Sequence, residues 1–287
     1  MTPEPRMTRS EQRDAARAKA QQLREQNKRK ETTKRVALRV SLVVGVAAVI
    51  TAVVAVIITG ANTQAPNGGV PANLTFNSGI KIGTGLQAYT DKVTPTPVPN
   101  PTATAAAVPN IVMYIDYQCP VCEAFETANQ AQVRSWVESG AATVEIHPIS
   151  FLDGSSANNY SSRAANAALC VANYAPNSFF DYNAYLFAHQ PAEQTAGPEN
   201  KALVAGTKLV SVTNATKIEN CINNKMFAGW LKTSTSDSMT NNVEGTSAPV
   251  KGTPTVVVNG NLYGWSTGEE LTSAARFAQF VQQAVGN

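Results

Sequence analysis

Two of the four cysteines stand three apart, in Cys119-Pro120-Val121-Cys122. The thiolate form of cysteine attacks disulfides, so what matters is what lowers a thiol's pKa. Ile111 to Tyr117 reads as a β-type run and Pro120 to Gly140 as a helix, so the pair sits where a strand gives way to a helix N-terminus. Free N–H groups and the positive dipole end there stabilise a thiolate. Pro120 suits the first helical turn because it brings no N–H in need of a partner. A three-residue helical step returns Cys122 beside Cys119, which predicts a reactive dithiol. Three other readings stand beside it. A zinc half-site needs two further ligands, and Cys170, Cys221, His147 and His189 form no second close pair. A purely structural disulfide would close so small a loop that it restrains the unfolded chain little. Two inert thiols fit poorly with an oxidising compartment. No metal and no cofactor is expected.

The second feature is Gly252-Thr253-Pro254, immediately before Val256-Val257-Val258. Pro254 cannot donate to a sheet ladder, and an X-Pro bond there suits the cis form. A cis bond would leave the Thr253 backbone free to pair with an extended peptide, as an added strand does. An ordinary strand-initiating proline is the equal alternative. Pro120, Val121 and Thr253 are the expected substrate-binding residues.

Other groups are read more plainly. Asp116, three before Cys119, is either a proton acceptor near Cys122 or a strand-end acceptor of backbone N–H bonds. Glu123 and Glu126 fall in the first helical turns, where negative charge suits the dipole, and are expected to be solvated. His147, on a predicted strand, reads as structural, and His189 ends a helix, where a cation is favoured. Cys170 and Cys221 lie far from the first pair, in a helical block, and are expected to form a structural disulfide there; the alternative is a relay pair passing electrons to Cys119.

The elements that must position these residues follow in order. Leu74 to Ile82 suits a strand or hairpin, and Thr94 to Pro109 is a Pro-rich extended loop. After the strand and helix around the cysteines, Ala142 to Ile149 reads as a strand. Residues 156–242 read as four or five helices, separated by Pro176, Pro191, Pro198 and Gly206. Thr255 to Val258 is a strand, Asn259-Gly260 a hairpin turn, and Gly268 to Val285 a closing helix. The order defines an α/β domain with a helical insertion.

Twelve of the 23 basic and five of the 20 acidic residues lie in residues 1–39, so that end carries +7 and the rest −4. A mildly acidic main domain argues against nucleic acid as its partner. Residues 40–59, VSLVVGVAAVITAVVAVIIT, are uncharged and long enough to cross a bilayer as one transmembrane helix in contact with membrane lipid. Lys28, Arg29, Lys30, Lys34, Arg35 and Arg39 precede them, which predicts a cytoplasmic tail over 1–39 and an extracytoplasmic remainder. A signal anchor is preferred to a cleaved signal peptide, because the apolar run and its basic leader are long. Residues 60–78 then read as a tether and 79–287 as the main domain.

Together, Asp116-Tyr117-Gln118-Cys119-Pro120-Val121-Cys122, the helical block, and Gly252-Thr253-Pro254 with Val256 to Gly260 resemble the DsbA-like proteins of bacterial envelopes, with a membrane-anchored layout similar to actinobacterial members. The resemblance implies a thioredoxin fold with an inserted helical domain. It implies that Cys119 is the exposed attacking sulfur, Cys122 its buried partner and Pro254 the cis residue facing them. The implied activity is thiol–disulfide exchange, forming disulfides in exported proteins and reoxidised by a quinone-linked membrane partner. Two departures bear on direction: Val121 stands where such sites typically have His, and Met113 where they have an acid six before the first cysteine. Asp116 resembles the isomerase branch instead. Isomerase or reductase action, or binding without turnover, are the alternatives.

Overall fold

The computed structural model describes residues 69–90, 108–243 and 245–285. The anchor expected at 40–59 and nearly all of the Pro-rich loop lie outside the described residues. Among the described residues no helix is long and apolar enough to cross a membrane.

Six strands form one mixed sheet. They are β1 (Ile80–Gly83), β2 (Gln87–Ala88), β3 (Asn110–Ile115), β4 (Thr143–Pro148), β5 (Thr255–Val258) and β6 (Asn261–Leu262), in the spatial order β2-β1-β4-β3-β5-β6. β3 and β4 run parallel, with Ile111 opposite Val144, joined by helix α1 (Pro120–Ser139) as a βαβ unit. The other pairings are antiparallel. Strand alternation sorts side chains to two faces. Ile111, Met113, Ile115, Val144, Ile146, Val256 and Val258 join the main core, while Val112, Tyr114 and Val257 join a smaller cluster on the other face.

The ends of α1 follow its sequence. Cys119 is the N-cap residue with extended backbone, Pro120 opens the helix, and Gly140 closes it in the left-handed region at φ 78°. Its inward face carries Cys122, Phe125, Val133 and Val137. Phe125 meets the edge of the Phe277 ring at 5.1 Å, which packs α1 against the last helix, α8 (Ala274–Val285). The single closing helix expected over 268–285 is broken: α7 (Gly268–Leu271) ends at Thr272, and α8 follows.

Between β4 and β5 lie α2 (Tyr160–Tyr174), α3 (Phe179–Ala188), α4 (Asn200–Leu209), α5 (Ala215–Asn223) and α6 (Ala228–Thr240). Gly206 does not separate helices, as the sequence suggested, but lies inside α4. A Cβ there would come within 2.1 Å of the Tyr185 ring, so glycine lets α4 lie close against α3. Asn259 and Gly260 both have positive φ, 47° and 82°, as the turn between β5 and β6 requires. Residues 72–78, read as the end of a tether, are bonded to the domain: Asn73 Nδ2 donates to Ala172 O at 3.0 Å and Thr75 Oγ1 to Glu145 Oε1 at 2.6 Å.

Candidate active site

β3 ends at Ile115, and Asp116 to Cys119 turn the chain into α1. The turn is closed by the Cys119 N–H donating to Asp116 O at 3.0 Å. Cys119 and Cys122 are both free thiols. The thiol of Cys119 donates to the carbonyl oxygen of Thr253 at 3.2 Å, across 134 positions of sequence. The Thr253-Pro254 peptide bond is cis. The fold therefore gathers Cys119, Pro120, Val121, Cys122, Thr253 and Pro254 at the end of the sheet where β3 stops and β5 begins.

Exposure within the gathered set differs from expectation in one respect. Cys119 is 5 % exposed and Cys122 fully buried, whereas the resemblance implied an exposed Cys119. The reason is local: as N-cap its side chain turns inward to Cys122 and is covered by the Thr253 carbonyl. Between the cysteines, Pro120 and Val121 are the exposed residues.

The two thiols are driven apart electronically. Cys119 is held below the usual thiol range, first by its hydrogen bond with the Cys122 side chain, then by the Thr253 side chain and the Cys122 backbone, which outweigh burial. Cys122 is pushed well above that range, first by burial and then by the hydrogen bond and charge of Cys119. An attacking thiolate beside a partner that keeps its proton is the division of labour that thiol–disulfide exchange uses.

Beneath the turn lies Asp116, fully buried, with its carboxyl raised to about 6 by burial against three stabilising hydrogen bonds. The donors are Gln118 N at 2.8 Å, Leu152 N at 2.8 Å and Ser161 Oγ at 2.6 Å. Of its two sequence readings, this geometry matches the acceptor of N–H bonds. Glu123 is exposed, but Glu126 is not solvated as expected: it is 7 % exposed and raised to about 7, because burial outweighs its hydrogen bond from Asn183. Glu126 faces α3 rather than water, since four positions after Cys122 lies the helix's inner face.

The remaining sequence candidates lie elsewhere. Cys170 and Cys221 form a disulfide with S–S 2.02 Å, joining α2 to α5. His147 is buried, 3.1 Å from Glu145 Oε1, and stacks on Tyr114. His189 caps the C-terminus of α3, with Nδ1 2.9 Å from Tyr185 O. Sequence reasoning passed over Ser161 and Asn183. For Asn183 a signal existed: it lies between Phe180 and Phe187 at helical spacing, a polar residue on an apolar stripe.

Two thiols so placed, at a helix N-terminus over the end of an α/β sheet, are the arrangement that thiol–disulfide exchange requires. The chain belongs to the thioredoxin family, whose model matches residues 103–276. The reduced form of the disulfide bond oxidoreductase DsbG from Mycobacterium tuberculosis is similar, 29 % identical with TM-score 0.54, over 73 % of this chain and 88 % of that one. So is reduced DsbA from Mycobacterium tuberculosis, 28 % identical with TM-score 0.53, over 73 % and 93 %. BdbD from Bacillus subtilis, oxidised, shares the fold at 16 % identity and TM-score 0.54, over 78 % and 100 %. No curated protein matches the chain. Among these relatives the chain is a DsbA-like enzyme of thioredoxin fold, with a mixed sheet and several helices.

Proposed function

We propose that the chain forms disulfides in exported proteins through Cys119 and Cys122, from an extracytoplasmic position on a membrane anchor at residues 40–59. The observation that carries the reading is the placement of two free thiols, Cys119 at the N-cap of α1 and Cys122 buried in its first turn, with Thr253 O 3.2 Å from Cys119 Sγ. In the resting enzyme the two sulfurs are bonded. A substrate thiolate attacks Cys119 Sγ. The bond to Cys122 breaks, and Cys122 leaves with the electron pair and takes up a proton, as its raised pKa favours. A second substrate thiolate then attacks the substrate sulfur of the mixed disulfide, and Cys119 leaves as a thiolate. The substrate has lost two electrons and the enzyme holds a dithiol. A lower pKa makes Cys119 the better leaving group, which favours donation of the disulfide.

Thr253 and Pro254 serve to align an extended peptide over Cys119, with Pro120 and Val121 as the exposed apolar floor. Reoxidation is assigned to a quinone-linked membrane partner, and the Cys170–Cys221 bond to stabilising the insertion. One observation favours a second reading, isomerase or reductase action: the Asp116 carboxylate opposes a thiolate on Cys119.

The test is transfer of a disulfide to a reduced, unfolded protein by the wild type, Cys119→Ser and Cys122→Ser. Both variants are expected to be inactive, because neither can hold the disulfide to be donated. Offered a substrate already in its disulfide form, Cys122→Ser should accumulate the mixed disulfide, its Cys119 thiolate attacking the substrate bond and expelling a substrate thiolate. Alkylation trapping in cells should find the wild-type pair oxidised. A pair trapped wholly reduced would overturn the oxidase reading.

A further inference from the structure

One side chain of the insertion grips both flanks of the cysteine motif. Asn183, in α3 and 2 % exposed, accepts a hydrogen bond at Oδ1 from the Tyr117 hydroxyl at 2.9 Å. Its Nδ2 donates to Glu126 Oε1, also at 2.9 Å. Tyr117 is fully buried, two residues before Cys119, in the turn that leaves β3. Glu126 is four residues after Cys122, in α1. A single amide therefore spans the joint between strand exit and helix, and the cysteines lie inside that joint.

The energetics make the span stiff. In a buried site, losing one partner costs roughly 1–3 kcal/mol for the group left behind, and more for a charged one. Asn183 serves two such groups at once. Its amide is the hydrogen-bond donor that opposes the burial of the Glu126 carboxylate. Tyr117 is also fixed by its ring, 5.1 Å from Phe187 of the same helix.

What the joint controls is the environment of Cys119. Its thiolate depends on Cys122 in the first turn of α1 and on Thr253 from the strand side. A change in the angle between the turn and α1 moves the sulfur away from one set or the other. We propose that Asn183 is a positioning residue for disulfide exchange, its amide fixing that angle and so holding Cys119 at the helix N-terminus. The proposal rests on Cys119 and Cys122 being the redox pair. It gives the helical insertion a part in the reaction and not only in the shape of the domain.

The test compares full-length wild type with Asn183→Leu, Glu126→Leu and Glu126→Gln, each equilibrated in glutathione redox buffers. The reduced fraction of the Cys119–Cys122 pair is read, with urea unfolding in parallel. Leucine at 183 keeps the branched outline of the side chain and removes both bonds. The Asn183→Leu thiolate should be less stabilised and its disulfide harder to reduce by about threefold to tenfold, tenfold being about 30 mV for this two-electron couple. Glu126→Leu should move the same way. Glu126→Gln retains the acceptor without the charge and should stay within about twofold of wild type. A merely structural Asn183 would lower the urea midpoint and leave the glutathione equilibrium where it was, and that result would falsify the proposal. A Glu126→Gln shift as large as that of Glu126→Leu would also overturn it, by showing that the charge matters and the brace does not. If Asn183→Leu does not fold, the two Glu126 variants decide alone. Absence of exchange in the wild type would instead sink the underlying reading of the pair.

Discussion

Asp116 and Ser161 are 45 positions apart in sequence, and the Ser161 hydroxyl donates to Asp116 Oδ2 at 2.6 Å. The contact ties the turn that carries Cys119 to α2, the first helix of the insertion. It also leaves a carboxyl buried beneath the two cysteines, where its charge works against the Cys119 thiolate. The insertion thus holds the motif from two sides, through Ser161 on Asp116 and through Asn183 on Tyr117 and Glu126.

Asp116→Asn should therefore lower the Cys119 pKa further. The substitution removes a negative charge and keeps one acceptor oxygen. It also turns an amide donor towards either Gln118 N or Leu152 N, at a cost of about 1–3 kcal/mol, partly offset because no charge remains to be buried. Thiolate absorbance followed against pH is the measurement. An unchanged or raised Cys119 pKa would show that the acid does not act on the pair.

Stability should rise as the pH falls from 8 to 5. The folded-state values of Asp116, about 6, and Glu126, about 7, lie above their ordinary 3.8 and 4.5. Each therefore contributes stability that is full below its unfolded value and lost as pH rises through its folded value. For Asp116 the difference amounts to about 3 kcal/mol at pH 7. Glu145 has the opposite sign: burial raises it, but bonds with His147 and Thr75 bring it below the ordinary value. Its contribution is lost only as pH falls through that lowered value, outside the window. Urea midpoints at pH 5 and 8 test the sign, and Asp116→Asn with Glu126→Gln should flatten the profile.

The sequence made the joint of strand and helix legible because its signals are local. Pro120 at the helix start, Gly140 at its end and the β-type run of Ile111 to Ile115 each act through near neighbours. Gly206 was misread for the opposite reason. Glycine breaks a helix by its own propensity, but here the contact with Tyr185, 21 positions away, decides its place. Glu126 failed likewise: in sequence it is one of two acids in early turns, and only the packing of α3 makes one of them buried. Ser161 reaches the motif through a tertiary contact that no spacing in one sequence announces, and the stripe of Phe180 and Phe187 marks Asn183 as a polar residue on an apolar face without naming its partners.

Val121→His should make the pair more oxidising. Val121 is 40 % exposed between the cysteines and offers the thiolate neither charge nor hydrogen bond. An imidazolium there would favour the thiolate by up to about one pH unit, the lower end of the effect of an adjacent opposite charge. Histidine is charged only near and below its own pKa, so the shift in the glutathione equilibrium should be larger at pH 6 than at pH 8. Exposure should make the effect fade with added salt. Equal shifts at both pH values would mean that the change acts through packing and not through charge.

Removing both Cys170 and Cys221 separates a structural role from a relay. Both are fully buried, and their bond spans 51 positions between α2 and α5. In the chain-entropy account, a loop of that length contributes roughly 4 kcal/mol by restricting the unfolded chain. A relay needs sulfurs that a thiolate can reach, and burial in the core of the insertion denies that approach. Cys170→Ala with Cys221→Ala should therefore lower the unfolding free energy by about 2–4 kcal/mol. The glutathione equilibrium of Cys119 and Cys122 should not move, because α2 still presents Ser161 to Asp116. Graded reductant should open the Cys119–Cys122 bond first and the buried bond only on unfolding. A double variant that folds but reoxidises Cys119 and Cys122 more slowly would make the second pair part of the electron path.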